Sequence, residues 1–206
     1  KAEPCYIYHV VNSWEEGDEV IMVAHKVAKP VANSAESTAS EFERMLQNLQ
    51  MNAELWEWRF NLQTGETAER CLDTVNAEFP TTNPRDQGYP TRYGYAVTIG
   101  PLPTLRFDGI RKYDFASGEH QEVRFGPGIY GSESPFAPST VATAEDQGYL
   151  LSFIRDEVNE RSELWIYDAR NLQAGPCTRL AIPQRVPLGF HACWVEGKDL
   201  KAKAPA

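Results

Sequence analysis

Four histidines and two glutamates are the residues of this chain that could do chemistry. His9 and His191 each sit in an apolar run, His9 in Tyr6-Ile-Tyr-His9-Val-Val and His191 after Pro187-Leu-Gly-Phe190. A buried imidazole needs both ring nitrogens satisfied, by hydrogen bonds, by a metal or by both. Taken singly, such a residue is more often a hydrogen-bonded core histidine. Glu78, between Ala77 and Phe79, and Glu133, within Gly131-Ser-Glu133-Ser-Pro135, lie in or beside apolar, turn-rich segments. A carboxylate there is costly unless it accepts hydrogen bonds. It can accept them from the N–H of a metal-bound histidine, or it can cap a neighbouring turn. The residue types leave both readings open. His25 reads as an ordinary strand residue, and His120, beside Gly118, as an exposed turn residue.

The elements that must position these residues are strands. Three stretches share one pattern: Leu55-Trp-Glu-Trp-Arg-Phe60-Asn61, Ile110-Arg-Lys-Tyr113-Asp114 and Leu164-Trp-Ile-Tyr167-Asp168. Phe60, Tyr113 and Tyr167 align at spacings of 53 and 54 residues. Each is an alternating strand that exits through Asn or Asp, whose side chain can bond to the backbone two residues on. In the first two, Gly65 and Gly118 follow and can take positive φ. A repeat of this length, with several strands per unit, predicts propeller blades. Further strands are expected at 5–11, 19–26, 67–72, 93–98, 121–125, 149–155, 177–182 and 189–195. One helix is expected at 40–50, capped by Ser40, with Phe42, Met45, Leu46 and Leu49 on one face.

A hydrophobic share of 42% and a charged share of 24% over 206 residues suit a folded domain, not a disordered one. The net charge of -9 argues against a nucleic-acid partner, which requires a basic surface. Cys5, Cys71, Cys177 and Cys193 form no CxxC pair, so they read as reduced thiols of a cytosolic protein. No Gly-x-Ser-x-Gly elbow supports a serine hydrolase. The start, Lys1-Ala-Glu-Pro-Cys5, carries neither Met nor a signal-like apolar stretch and reads as the interior of a longer chain. Residues 198–206 read as a tail.

Several words occur together and in order: His9-Val-Val-Asn12-Ser-Trp-Glu-Glu16, Ala77-Glu78-Phe79-Pro80, Thr91-Arg-Tyr-Gly-Tyr95, Gly131-Ser-Glu133-Ser-Pro-Phe-Ala-Pro138, Glu145-Asp-Gln147-Gly-Tyr-Leu150, Ser162-Glu-Leu-Trp-Ile-Tyr-Asp-Ala169 and Arg185-Val-Pro-Leu-Gly-Phe-His191. Together they resemble the carotenoid cleavage oxygenase family, which includes stilbene-cleaving dioxygenases and the retinoid isomerohydrolase. The resemblance runs over residues 6–195.

The resemblance implies an all-β fold, a seven-bladed β-propeller of which residues 1–197 would form about the last three to four blades. It implies iron(II) on the axis, held by four histidines and three glutamates behind them. His9 matches the third histidine and His191 the fourth; Glu78 and Glu133 match two of the glutamates. His25 and His120 match no ligand. The first two histidines, one glutamate and the early blades have no counterpart here, so the chain reads as a C-terminal fragment that is inactive alone and needs the N-terminal portion as partner.

The implied activity is cleavage of a C=C bond of an apolar polyene or stilbene with O2, giving two carbonyl products. Gln147 stands where Asp is common, and Ala192-Cys193 follows the last ligand. Retinoid isomerohydrolysis on the same scaffold is one alternative. Trp14-Glu15-Glu16 and Gly126-Pro-Gly-Ile-Tyr-Gly-Ser-Glu133 look closer to cleaving members. A metal-free binding module is the other alternative. The expected location is cytoplasmic, with peripheral membrane contact the implied extension.

Overall fold

A computed structural model describes residues 2–28, 40–42, 51–101 and 104–200. The expected helix at 40–50 lies outside the described residues, apart from its first three positions. The described residues form thirteen strands, all antiparallel, in three sheets. The first holds β1 (Tyr6–Glu16), β2 (Glu19–Val27), β3 (Glu54–Asn61) and β4 (Thr67–Asp73), hydrogen-bonded in chain order. The second, also in chain order, holds β5 (Ala77–Thr81), β6 (Tyr93–Ile99), β7 (Phe107–Asp114) and β8 (His120–Arg124). The third holds β10 (Phe136–Pro138), β11 (Gly148–Asp156), β12 (Arg161–Asp168) and β13 (Pro176–Ile182), with β9 (Ile129–Tyr130) paired to β11. Four-stranded meanders in series are propeller blades.

The 53- and 54-residue repeat falls on the third strand of each blade, β3, β7 and β12. The strand exits have the expected chemistry. Asn61 Oδ1 accepts from the N–H groups of Gln63 and Thr64, Asp114 Oδ1 from Ala116 and Ser117, and Asp168 Oδ1 from Arg170. Gly65 and Gly118 close the first two turns at φ +72° and +75°, where a Cβ would be strained.

The core lies between blades. Between the first and second, Val11, Val23 and Leu55 meet Ala77, Ala96 and Tyr113. Between the second and third, Tyr95, Ile110 and Phe125 meet Phe136, Leu150, Trp165 and Tyr167. A third cluster of Phe79, Val97, Ile99 and Phe107 lies around β5. Each sheet thus buries an apolar face against the next, as stacked sheets must. Glu145 ties the second and third blades together: its carboxylate accepts from Thr91 Oγ1 and from the backbone N–H groups of Arg92 and Tyr93.

Two expectations need correction. β5, β9 and β10 were not legible as strands. Conversely, 189–195 forms no strand. Its backbone is drawn instead to a side chain, Ala192 N–H donating to a Glu133 oxygen, just as Val186 N–H ahead of it donates to Ser162 Oγ. Without a ladder partner an apolar run stays irregular. Gln147 has a local task, accepting from Thr143 and Ala144 N–H to close the 139–147 turn. All four cysteines are free. The tail begins with a single helical turn at Gly197–Asp199. Among the described residues, no helix is long and apolar enough to cross a membrane.

Candidate metal centre

His9 is carried by β1, the first strand of its sheet, at a place where the ladder breaks. Pairing with β2 is irregular between Ile7 and Val10 and again between Val10 and Asn12. Such bulges bend a strand and re-aim a side chain. β5 is irregular too, between Glu78 and Thr81. There Phe79 takes φ +52°, a conformation rare for an aromatic residue and a mark of functional sites. The two irregular stretches face each other, and His9 Nδ1 meets Glu78 Oε2 at 2.7 Å.

Glu78 is fully buried. The same oxygen, Oε2, also accepts from Phe79 N–H, whereas Oε1 is buried with no hydrogen-bond partner. Burial pushes this carboxyl above its ordinary range, against the opposing pull of Phe79 N–H and of His9. A carboxylate short of one partner in an apolar setting is stabilised by nearby positive charge.

Glu133 precedes β10 in a loop fixed by serines. Ser132 Oγ donates to Glu133 O and accepts from Phe153 N–H, and Ser134 Oγ donates to Ser132 O. Gly131 lets this loop pass closely: a Cβ there would stand 2.5 Å from the Phe125 ring. Glu133 Oε2 takes Ala192 N–H at 2.7 Å and lies 3.2 Å from His191 Nδ1.

The two pairs converge. The His9 and His191 ring centroids are 5.2 Å apart, nearly perpendicular at 72°. Phe79 packs on both, 4.7 Å from His9 and 5.2 Å from His191, and stacks on Phe190 at 6.0 Å. A carboxylate facing each Nδ1 favours the tautomer with the proton on that nitrogen. The Nε2 lone pair of the neutral ring is then free to bind a metal. That donor chemistry and the orphaned Glu78 oxygen fit a cation held by His9 and His191, with Glu78 and Glu133 orienting the rings.

His25 and His120 are elsewhere. His120 opens β8, exposed. His25 on β2 is fully buried with neither ring nitrogen hydrogen-bonded. Burial, and secondarily the nearby His9, push it down to about 3. The reading of residue types gave Phe79 and Asn12 no role of their own. The signal for Phe79 was its place between Glu78 and Pro80, and that for Asn12 its distance of three residues from His9.

Three antiparallel four-stranded meanders in series define a β-propeller scaffold. Solved structures share it. The cobalt-substituted apocarotenoid oxygenase of Synechocystis superposes with a TM-score of 0.80 at 24% identity, over 93% of this chain and 40% of that one. The lignostilbene dioxygenase of Pseudomonas brassicacearum gives 0.81 at 22%, over 94% and 42%.

The family model described as retinal pigment epithelial membrane protein matches residues 1–196, and the chain belongs to that family, which includes the carotenoid cleavage dioxygenases. It is 33% identical to carotenoid 9,10(9',10')-cleavage dioxygenase 1 of Phaseolus vulgaris, over 97% of this chain and 38% of that protein. It is also 33% identical to the chloroplastic 9-cis-epoxycarotenoid dioxygenase NCED6 of Arabidopsis thaliana, over 96% and 33%. The chain therefore spans between a third and two fifths of the length of these curated relatives.

Proposed function

We propose that this chain supplies half of the iron(II) centre of a dioxygenase that splits a C=C bond of a carotenoid, apocarotenoid or stilbene into two carbonyl products. The observation that carries the reading is the pair of imidazoles, 5.2 Å apart, each with Nδ1 at a separate carboxylate. Relatives named as carotenoid cleavage dioxygenases add the reaction class. Iron(II), when bound, supplies dioxygen activation.

The chain's own residues do the rest. His9 and His191 present Nε2, while Glu78 and Glu133 fix each ring's tautomer and orientation. Phe79 and Phe190 form an apolar wall that excludes water and accepts a planar polyene. No side chain is required as an acid or a nucleophile.

The other two histidines and the third glutamate would come from the part of the relatives' length that this chain does not span. The exposed apolar face of β1, with Tyr6, Tyr8 and Val10, is where a preceding blade would stack. The 206 residues alone would then be inactive. A cytoplasmic protein touching membranes peripherally suits a substrate that dissolves in lipid. The test uses the full-length protein, loaded with iron(II) anaerobically and assayed for metal content and alkene cleavage. His9→Ala and His191→Ala should each lose both. Retention of iron and activity by either variant rules out that residue as a ligand.

A further inference from the structure

Asn12 lies on β1 three residues beyond His9 and is nearly buried, at 6% exposure. Its amide is fully used. Nδ2 donates to the carbonyl oxygens of Asp86 and Tyr89, each at 3.0 Å. Oδ1 accepts from Ser13 N–H at 2.9 Å and from Gly88 N–H at 3.0 Å. Asp86, Gly88 and Tyr89 belong to the loop that follows β5, the strand carrying Glu78. One side chain therefore fastens the strand of His9 to the segment of Glu78.

This fastening matters because the ordinary ladder is interrupted where His9 sits. Neither Tyr8 nor His9 has a regular partner on β2, and Val11 is bulged as well. The sheet by itself leaves the aim of His9 loosely determined. The bond from His9 Nδ1 to Glu78 is one tie between β1 and β5, within a stretch whose ladder to β2 holds only on either side, at Ile7 and Val10. Asn12 adds a second tie about 10 Å further along, at about 3.3 Å per residue. Two separated ties fix rotation as well as position.

We infer that Asn12 is a positioning residue for the candidate metal centre, acting through the strand to hold His9 Nδ1 against Glu78. It touches neither metal nor substrate. The inference rests on the reading of His9 as a ligand, and its test separates the two. Asn12→Leu keeps the branched outline, though it is larger, and deletes all four hydrogen bonds; Asn12→Ala deletes them with room for water, should the leucine variant not fold. Thr91→Val, which removes a hydroxyl bond to Glu145 at 2.6 Å, serves as a control that loses a hydrogen bond to another blade.

In metal-free, full-length protein with labelled imidazoles, the nitrogen resonances of His9 should report a single Nδ1–H tautomer in the wild type and in Thr91→Val. In the Asn12 variants they should report a mixture. Cobalt(II) affinity should fall about tenfold in the Asn12 variants alone, with an altered visible spectrum. Unchanged tautomer, affinity and spectrum in the Asn12 variants would overturn the inference. If the wild type binds no cobalt(II), the metal reading falls, and the tautomer by itself decides the positioning role.

Discussion

The rings of His9 and His191 meet edge to face at 5.2 Å although 182 residues separate them in sequence. Each hangs from its own carboxylate, on two different blades. The two suspensions are unequal. The His9 side chain is 31% exposed against a fully buried Glu78, whereas that of His191 is 66% exposed beside a 16% exposed Glu133. The first pair is the more rigid and should be the more sensitive to substitution.

Glu78→Gln tests this. The amide keeps the shape but brings a neutral group, with donors where Oε1 or Oε2 stood. Metal affinity in the full-length protein should drop roughly 10- to 100-fold. The same change at Glu133 should cost less, because solvent can partly replace it. Titration with cobalt(II) gives both numbers. A larger loss at Glu133 would contradict the ranking.

His25 gives a pH dependence with a definite sign. Its folded-state pKa, about 3, lies below the ordinary 6.5, so the folded protein resists protonation that the unfolded chain accepts. Its contribution is fully present above pH 6.5 and is lost as the pH falls from there toward 3. At about 1.4 kcal/mol per pH unit, the span is on the order of 5 kcal/mol. In denaturant melts of metal-free protein across this range, the stability of wild type relative to His25→Leu should fall toward acid pH. Parallel curves would remove His25 as the cause.

Asp114 performs two tasks that substitution separates. It accepts the N–H groups of Ala116 and Ser117, and it forms a forked pair with Arg92, which holds it down to about 2. Arg92 is half exposed, so solvent screens the ion pair and it contributes little. Asn61 does the turn task in the first blade without a charge. Asp114→Asn should therefore be nearly neutral, while Asp114→Ala should cost about 1–2 kcal/mol in thermal or urea melts.

Glu145→Ala strips acceptors from the backbone N–H groups of Arg92 and Tyr93 and from the Thr91 hydroxyl. Leaving such donors unpaired costs about 1–3 kcal/mol each where water cannot reach them. A total near 3 kcal/mol is expected from urea melts, with amide exchange rising at 91–93. A loss below about 0.5 kcal/mol would mean that water replaces the carboxylate.

The blade repeat was legible because a strand exit has fixed chemistry: Asn61, Asp114 and Asp168 each need a short acceptor at the same step. β5 escaped because five residues containing Glu78 and Pro80 resemble a turn more than a strand. The 189–195 run looked like a strand by its apolar content, but hydrogen bonding to Glu133 overrode that preference. No spacing rule could join His9 to Glu78, 69 residues away; the family resemblance named both residues without saying which histidine each glutamate faces. The isolation of the His25 nitrogens depends on what surrounds them in three dimensions, which an apolar strand of nine residues does not reveal.

The paired irregularities in β1 and β5 mean that the aim of the first imidazole is stored as a count of residues as much as in their identities. Removing Tyr8, Val10 or Val11 would shift the strand by half a pleat and turn His9 toward the opposite side of its sheet. Every chemical group would still be present, and the centre would be dismantled all the same.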